Sequence, residues 1–422
     1  MNHGPQEFLA TADVIGSRLC RDSLWAGSRC NWVGSSMEFV DNAWRPVHRA
    51  FGGEFYNGTS GIALFLSRLF ALTQVKDHRR CAEGALEQTL SRTQDVPRAS
   101  RAGFYSGLAG VAFVAFEMGR TETALGLLRA LLDDETDGQD LDVISGSAGA
   151  IPAFLAIHQH CGEDFLIDLA VRHAEHLLRA ARREGNLWSW NTLRLAAGRD
   201  LTGFSHGTSG VAWALLELFK KIGGSQYRCA ALNALAYERK CFSQQHGNWP
   251  DFRSMNEANP PGSGEPSFAM AWCHGAPGIG LSRLRAYTIL QESWCRNEAE
   301  IALQTTMQHL REPMMPGQNF SLCHGLGGNC ELPLYASLVL GDDGLRQVAD
   351  QVGWYGIEAF RQTRTPWPCG VLDAGETPNL MLGLAGIGYF YLRLYDPRQV
   401  PSALILVPDE GEAGSKLRHA DP

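Results

Sequence analysis

Two short segments of this 422-residue chain carry residue types that could do chemistry: Trp272-Cys273-His274-Gly275 and Leu322-Cys323-His324-Gly325. Each places a thiol and an imidazole side by side, just before a glycine. Two thiolates and one neutral imidazole make the three-ligand set of a catalytic zinc, with the fourth position open. Their charges cancel the 2+ of the metal. A third thiolate, from a substrate, would then sit on a centre of net charge −1, acidified yet still electron-rich. The ligand types therefore point to thiol chemistry, whereas an all-histidine set would favour activating water. The two cysteines lie 50 residues apart, so the site is not a compact finger and must be assembled on a finished fold. The alternative is a pair of buried cysteines beside ordinary histidines; duplication at matching places in a repeat favours the metal. Spacing does not decide whether His274 or His324 is the third ligand. Cys330 is expected in the core, Cys369 of the W-P-C-G stretch is expected to be structural, and the other cysteines are read as core or surface thiols.

The elements that must position these residues are set by a repeat. Seven G-x-x-G motifs, starting at Gly58, Gly107, Gly146, Gly207, Gly275, Gly325 and Gly383, carry a small residue or proline before the second glycine and an apolar run after it. Three further matches, at Gly341, Gly353 and Gly411, lack that context. The intervals of 49, 39, 61, 68, 50 and 58 residues each hold two helices and their connections. The run after each motif is apolar on all sides, as in VAWALLEL, and predicts a buried helix. Its companion is amphipathic, as in CAEGALEQTL or FLIDLAVRHAEHLLRAARR. The expected fold is all-α: a ring of seven inner helices with the amphipathic ones outside, against the alternative of an open helical solenoid. Helix N-termini then converge on one rim, the natural place for a site.

Trp188, Trp249-Pro250 and Trp367-Pro368 precede three of the motifs and are read as packing residues in the entering loops, the alternative being substrate-facing side chains. Residues 1–50 are expected to form a lead-in of one amphipathic helix and a loop. The piece VPSALILV is expected to pack back on the ring, and residues 410–422 to be disordered. One domain over 1–422 is expected, with no linker. A net charge of −8 and no basic patch argue against nucleic acid and anionic membrane as partners. No apolar run is long enough to span a bilayer and no signal peptide is evident, so the expected location is cytoplasmic.

These motifs resemble those of the lanthionine synthetase C-like cyclases, over about residues 50–405. The resemblance rests on the seven glycine repeats and on GFSHGTSG (203–210), AWCHGAPGIG (271–280) and LCHGLGGN (322–329). It implies an α/α toroid with one zinc ion at its mouth. By the same resemblance the ligands are Cys273, Cys323 and His324, which settles the third ligand. The implied reaction adds a peptide cysteine thiol to dehydroalanine or dehydrobutyrine of the same precursor peptide, giving a thioether ring. His206, before the fourth motif, corresponds to the family's acid/base histidine, and Asp142 to an orienting aspartate. Two positions depart from part of the family: an arginine four residues before the first zinc cysteine is Ala269 here, and the tyrosine after that cysteine is His274, which makes His274 a second candidate acid. The W-C-H-G form is similar to that of the cyclase halves of lanthipeptide synthetases. A dehydratase half has no room in 422 residues. The expectation is a standalone cyclase served by a separate dehydratase, or an excised domain. Two rivals are a family member that couples glutathione to dehydroamino acids and a zinc-bearing scaffold without catalysis. A prenyl-transfer or glycan enzyme on an α/α ring is disfavoured by the Cys-Cys-His set.

Overall fold

The computed structural model describes residues 4–40, 43–194, 198–253, 265–315 and 318–408. The chain begins with helix α1 (Gln6–Arg21), a short hairpin of β1 (Leu24–Ala26) and β2 (Arg29–Asn31), and a longer one of β3 (Val33–Val40) and β4 (Ala43–Ala50). Thereafter helices come in pairs: α2 (Thr59–Thr73) with α3 (Lys76–Leu90), α4 (Leu108–Glu117) with α5 (Thr121–Arg129), and α6 (Ser147–Cys161) with α7 (Phe165–Ala180). After a small hairpin, β5 (Arg182–Glu184) and β6 (Leu187–Ser189), come α8 (Thr208–Ile222) with α9 (Ser225–Cys241) and α10 (Ala276–Leu290) with α11 (Ser293–Arg311). The one-turn α12 (Leu326–Asn329) runs on into α13 (Glu331–Leu340), which pairs with α14 (Asp343–Gly356), and α15 (Leu384–Tyr395) is the last.

The first helix of each pair opens at its glycine motif and is buried on nearly every face, as expected for an apolar run. These helices pack neighbour to neighbour from α2 round to α15, and α15 packs on α2, which closes the ring. The second helix of each pair lies outside. α15 has no successor to cover it, and α1 does so, so the seventh outer helix comes from the other end of the chain. The architecture is an α/α toroid.

The closure has a main-chain basis at the rim. The residue two before each motif glycine donates its N–H to the carbonyl of the corresponding residue in the next repeat. Tyr56 donates to Tyr105 (2.8 Å), Tyr105 to Ile144 (3.0 Å), Ser205 to Cys273 (3.1 Å), Cys273 to Cys323 (3.3 Å), Cys323 to Met381 (3.0 Å) and Met381 back to Tyr56 (2.9 Å). In the third repeat the donor slips by one: Val143 gives its N–H to Ser205 (3.0 Å), while Ile144 accepts. Seven loops are thus stitched into a closed circuit.

Behind the rim the centre is filled by aromatic rings from several repeats. Tyr105 and Trp272 meet at 5.2 Å between centroids, and Phe204 lies 5.7 Å from Trp272. The VPSALILV segment packs back as expected: the Tyr105 hydroxyl donates to the Ala403 carbonyl (2.9 Å), and the Trp272 indole N–H to that of Leu404 (2.9 Å). Farther along the inner helices, buried ion pairs cross between neighbours. They are Arg68–Glu117, Arg285–Glu217 (2.6 Å) and Arg393–Glu331 (2.5 Å). Removing one partner of such a pair strands a buried charge.

The lead-in differs from the expected helix and loop. α1 is present, but residues 24–50 form the two hairpins instead. β3 and β4 pair antiparallel from Val33 opposite Ala50 to Val40 opposite Ala43, an element that a search for helices passes over. Residues 410–422 lie outside the described residues. Trp249 and Trp367 are buried packing residues, whereas Trp188 is half-exposed, with the Arg183 guanidinium 4.2 Å over its ring. Among the described residues no helix is long and apolar enough to cross a membrane.

Why the motif needs its second glycine is visible in the spacing. A Cβ on Gly110 would stand 1.8 Å from the Phe104 carbonyl oxygen, which is main chain and cannot swing aside; Gly126, on the outer helix α5, has nothing within 4 Å. Alanine should therefore have opposite effects at the two sites. Gly110→Ala is expected to destabilise by about 3 kcal/mol through overpacking. Gly126→Ala is expected to stabilise by about 0.5–1 kcal/mol through helix propensity. Thermal midpoints of the two variants against wild type check this, and equal shifts would refute the packing account.

Candidate active site

The stitched rim presents two side chains per repeat, from the residues two and one before the motif glycine. Where repeats four, five and six meet, these side chains line a cavity of about 320 Å³. Cys273 and Cys323 hold the same slot in consecutive repeats, and the bond between their backbones brings the two thiols together. Both are buried. The Cys323 thiol hydrogen-bonds to the Cys273 sulfur, which holds Cys273 below the usual thiol range. The same bond, with burial, pushes Cys323 well above it. The Tyr56 hydroxyl reaches the Cys323 sulfur as well.

His206, His274 and His324 each follow these slots directly, yet their surroundings separate them. His206 is half-buried, and its Nδ1 lies 2.5 Å from Asp142 Oδ2. Burial presses the imidazolium to lose its proton, but the charge and hydrogen bond of Asp142 outweigh it, so the His206 pKa is raised. Asp142 is itself fixed by accepting the Ser145 N–H on its other oxygen (2.7 Å). His274 is buried and stacks against His206, with centroids 5.8 Å apart. Burial first, and then the charge of Arg253, push its pKa down to about 3. His324 stands at the cavity mouth, its Nε2 2.9 Å from the Gly370 carbonyl. A carbonyl only accepts, so Nε2 carries the proton and Nδ1 is the lone-pair nitrogen. Desolvation and the Arg253 charge lower its pKa, which keeps the ring neutral at neutral pH.

The cavity therefore collects Cys273, Cys323, His324, His206 and His274, with Asp142 directly behind His206. Among the described residues no three His, Cys, Asp or Glu side chains converge closely enough, as placed, to hold a metal ion. The donor chemistry nevertheless fits zinc: two buried thiols hydrogen-bonded to each other, and a neutral imidazole with its Nδ1 lone pair on the same cavity wall. Two further residues join the site. Arg253 lines the cavity, paired with Asp251 (2.6 Å), and its charge acts on both thiols and all three histidines. Ala269 lines the same cavity and brings no charge to it. Tyr56 could have been found from the sequence, because it holds in repeat one the slot of Cys273 and Cys323. Arg253 stands in no repeat slot and no sequence signal points to it.

The sequence pattern of the lanthionine synthetase C-like proteins matches residues 50–405. The chain is 22% identical over 412 residues to the lacticin 481/lactococcin biosynthesis protein LcnDR2 of Lactococcus lactis subsp. lactis, a match covering 92% of this chain and 41% of that protein. It is 23% identical over 303 residues to the nisin biosynthesis protein NisC of the same organism, covering 65% of this chain and 71% of that one. The solved structure of nisin cyclase superposes with a TM-score of 0.65 at 18% identity, over 85% of this chain and 93% of that one, a likeness of fold. This chain thus spans less than half of the lacticin protein's length.

The His206–Asp142 pair makes a measurable claim. A raised imidazole pKa stabilises the fold fully below its unfolded value near 6.5, and that contribution fades as pH rises through the folded value. Asp142→Asn removes the charge, so the His206 pKa should fall, and the pH at which the contribution is lost should fall with it. An NMR titration of the histidine ring signals in both proteins reads the shift. An unmoved His206 would sink the pairing.

Proposed function

Because this chain belongs to the lanthionine synthetase C-like family, and its rim sets two touching thiols beside a histidine–aspartate pair, we propose that it is a zinc-dependent lanthionine cyclase. Cys273, Cys323 and His324 would hold the zinc, and the metal, when bound, supplies the Lewis acidity that lets a substrate thiol ionise near neutral pH. The chain's own residues then manage charge and protons. In the addition, a C–S bond forms at the β-carbon of a dehydroalanine or dehydrobutyrine as its C=C π pair moves into an enolate. The thiol proton is lost, and one proton is gained at the α-carbon. Protons balance, so the site needs a relay and consumes no acid.

His206 suits that relay, since Asp142 holds it in one orientation and raises its pKa toward the working range. His274 is assigned a supporting place. Buried and held neutral, it carries no acidic imidazolium proton near neutral pH, and its ring stacks on that of His206. Arg253 supplies a fixed positive charge facing the cavity, suited to the enolate oxygen. Some family members place an arginine at the position of Ala269; here a guanidinium on the same cavity comes from another loop.

A peptide substrate is favoured by one observation. Tyr56 and Ile144 line both this cavity and a groove of about 810 Å³ that continues along the rim past Gly52 and Ser106. A chain can enter there, whereas a small thiol alone would need no such path. A dehydrated precursor peptide is the substrate that this reading requires, and a dehydratase activity must supply it.

Zinc content by elemental analysis, after purification without added metal, is the deciding measurement. About one zinc per wild-type chain is expected, with most of it lost in Cys323→Ala. No zinc in folded wild type, and none taken up on addition, would overturn the reading. Thioether formation is followed by loss of alkylatable thiol in a dehydrated peptide. His206→Asn should keep its zinc yet slow this by about 100-fold or more, and Arg253→Met by roughly 10-fold to 100-fold. Full activity in His206→Asn would remove the relay from the mechanism.

A further inference from the structure

A second group of thiols lies away from the cavity, where the two ends of the ring meet. Cys20 sits in the last turn of α1, Cys30 in β2 and Cys81 in α3. Read from sequence they are separate core or surface thiols. In the structure the Cys81 thiol hydrogen-bonds to those of both Cys20 and Cys30, with Ser23 Oγ 3.8 Å away. Cys30 Sγ also reaches the Cys81 carbonyl (3.3 Å), and Cys20 Sγ that of Asp77 (3.5 Å). Cys20 and Cys81 line an open cleft of about 230 Å³, together with Trp25 and Arg80. All three thiols are free; Cys20 is half-exposed, while Cys30 and Cys81 are buried, Cys81 at the floor of the cleft. The Arg80 guanidinium lies 4.5 Å over the Trp25 ring. The two thiol hydrogen bonds chiefly, and the Arg80 charge in addition, hold Cys81 well below the usual thiol range, so its thiolate is the nucleophile of the group. The proposed cyclase reaction uses none of these residues.

We propose that Cys20, Cys30 and Cys81 form a thiol–disulfide exchange site that takes an external disulfide of the glutathione class and closes into an internal disulfide at the seam of the toroid. The Cys81 thiolate attacks one sulfur of the external disulfide, breaking its S–S bond, expelling one thiolate and leaving a mixed disulfide on Cys81. The thiol of Cys20 or Cys30, losing its proton to solvent, attacks the Cys81 sulfur and expels the second thiolate. Two protein thiols give up two electrons and two protons, and the external disulfide is reduced to two thiols. The new bond ties α3, the first outer helix, to α1, the outer helix of the last pair, or to the hairpin between them. Either tie closes a loop of 50 residues or more, counted from Cys30 or Cys20 to Cys81, and restricts the unfolded chain accordingly.

The test uses the full chain. Wild type is incubated with glutathione disulfide, its remaining thiols are alkylated, and it is peptide-mapped without reduction. Mapping reads each cysteine, so oxidation at Cys273 and Cys323 is scored apart. The expected result is Cys81 bonded to Cys20 or Cys30, a thermal midpoint several degrees higher, and reversal of both by dithiothreitol. Cys81→Ser should abolish bond and shift together. If that variant does not fold, Cys20→Ser and Cys30→Ser are read instead, each expected to leave Cys81 paired with the remaining partner. Cys81 still fully alkylatable after treatment, or ending only as a mixed disulfide with glutathione, would overturn the proposal.

Discussion

The circuit of seven main-chain hydrogen bonds at the rim is the constraint on which this molecule depends. Each link joins the loop before one inner helix to the loop before the next, from Tyr56 through Cys323 and Met381 back to Tyr56. A single such bond contributes only about 1 kcal/mol net. Closure matters more than the sum, because a displaced loop would leave donors and acceptors buried and unpaired on both sides of it. The second glycine of each motif belongs to the same constraint. Each lies so close to a carbonyl of the loop before it that no side chain fits between.

That rigidity has a chemical consequence. Cys273 and Cys323 meet because adjacent links of the circuit place their backbones in contact, and not because either side chain was drawn to the other. Two thiols forced together in a buried place cannot both ionise at little cost, so one keeps the proton and the other is held low. A divalent cation bound there, as proposed, would relieve this by taking the place of the thiol proton. The positive charge of Arg253, anchored on Asp251, faces the same cavity. It favours anions there and disfavours protonation of His274 and His324.

Much of this was legible in the sequence, and the reason is the repeat. Seven glycine motifs at two-helix spacing specify the ring, and the residues just before the fourth, fifth and sixth motifs are those that line the candidate cavity. Cys273, Cys323, His206, His274 and His324 could be named because a repeated backbone slot turns sequence position into spatial position. Arg253 escaped because it lies in a connecting loop, where no repeat fixes geometry. The Cys20, Cys30 and Cys81 group escaped for a related reason: it joins a helix end, a hairpin and an outer helix across the seam, and no period links those three. The β3–β4 hairpin was missed because it stands outside the helical pattern. The role of α1 as seventh outer helix follows from counting only once the ring is known to close, since α15 would otherwise lie bare.

The third repeat shows how a regular scaffold makes room for one irregular contact. In six repeats a single residue both gives and accepts a link of the circuit. In the third, Ile144 accepts while Val143 donates. Val143 still lies against the second glycine of its motif, as Phe104 and Phe204 do in theirs, so the helix register is kept. What changes is the residue before it. Asp142 now adjoins a donor that is bonded to Ser205, and His206 adjoins the acceptor. The two side chains therefore emerge beside the same link, which is why they can meet at 2.5 Å across 64 residues of sequence. An unslipped circuit would put one more residue between Asp142 and the link. A one-residue slip in the stitching thus does for this rim what a bulge does for a β-sheet: it re-aims a side chain without disturbing the frame.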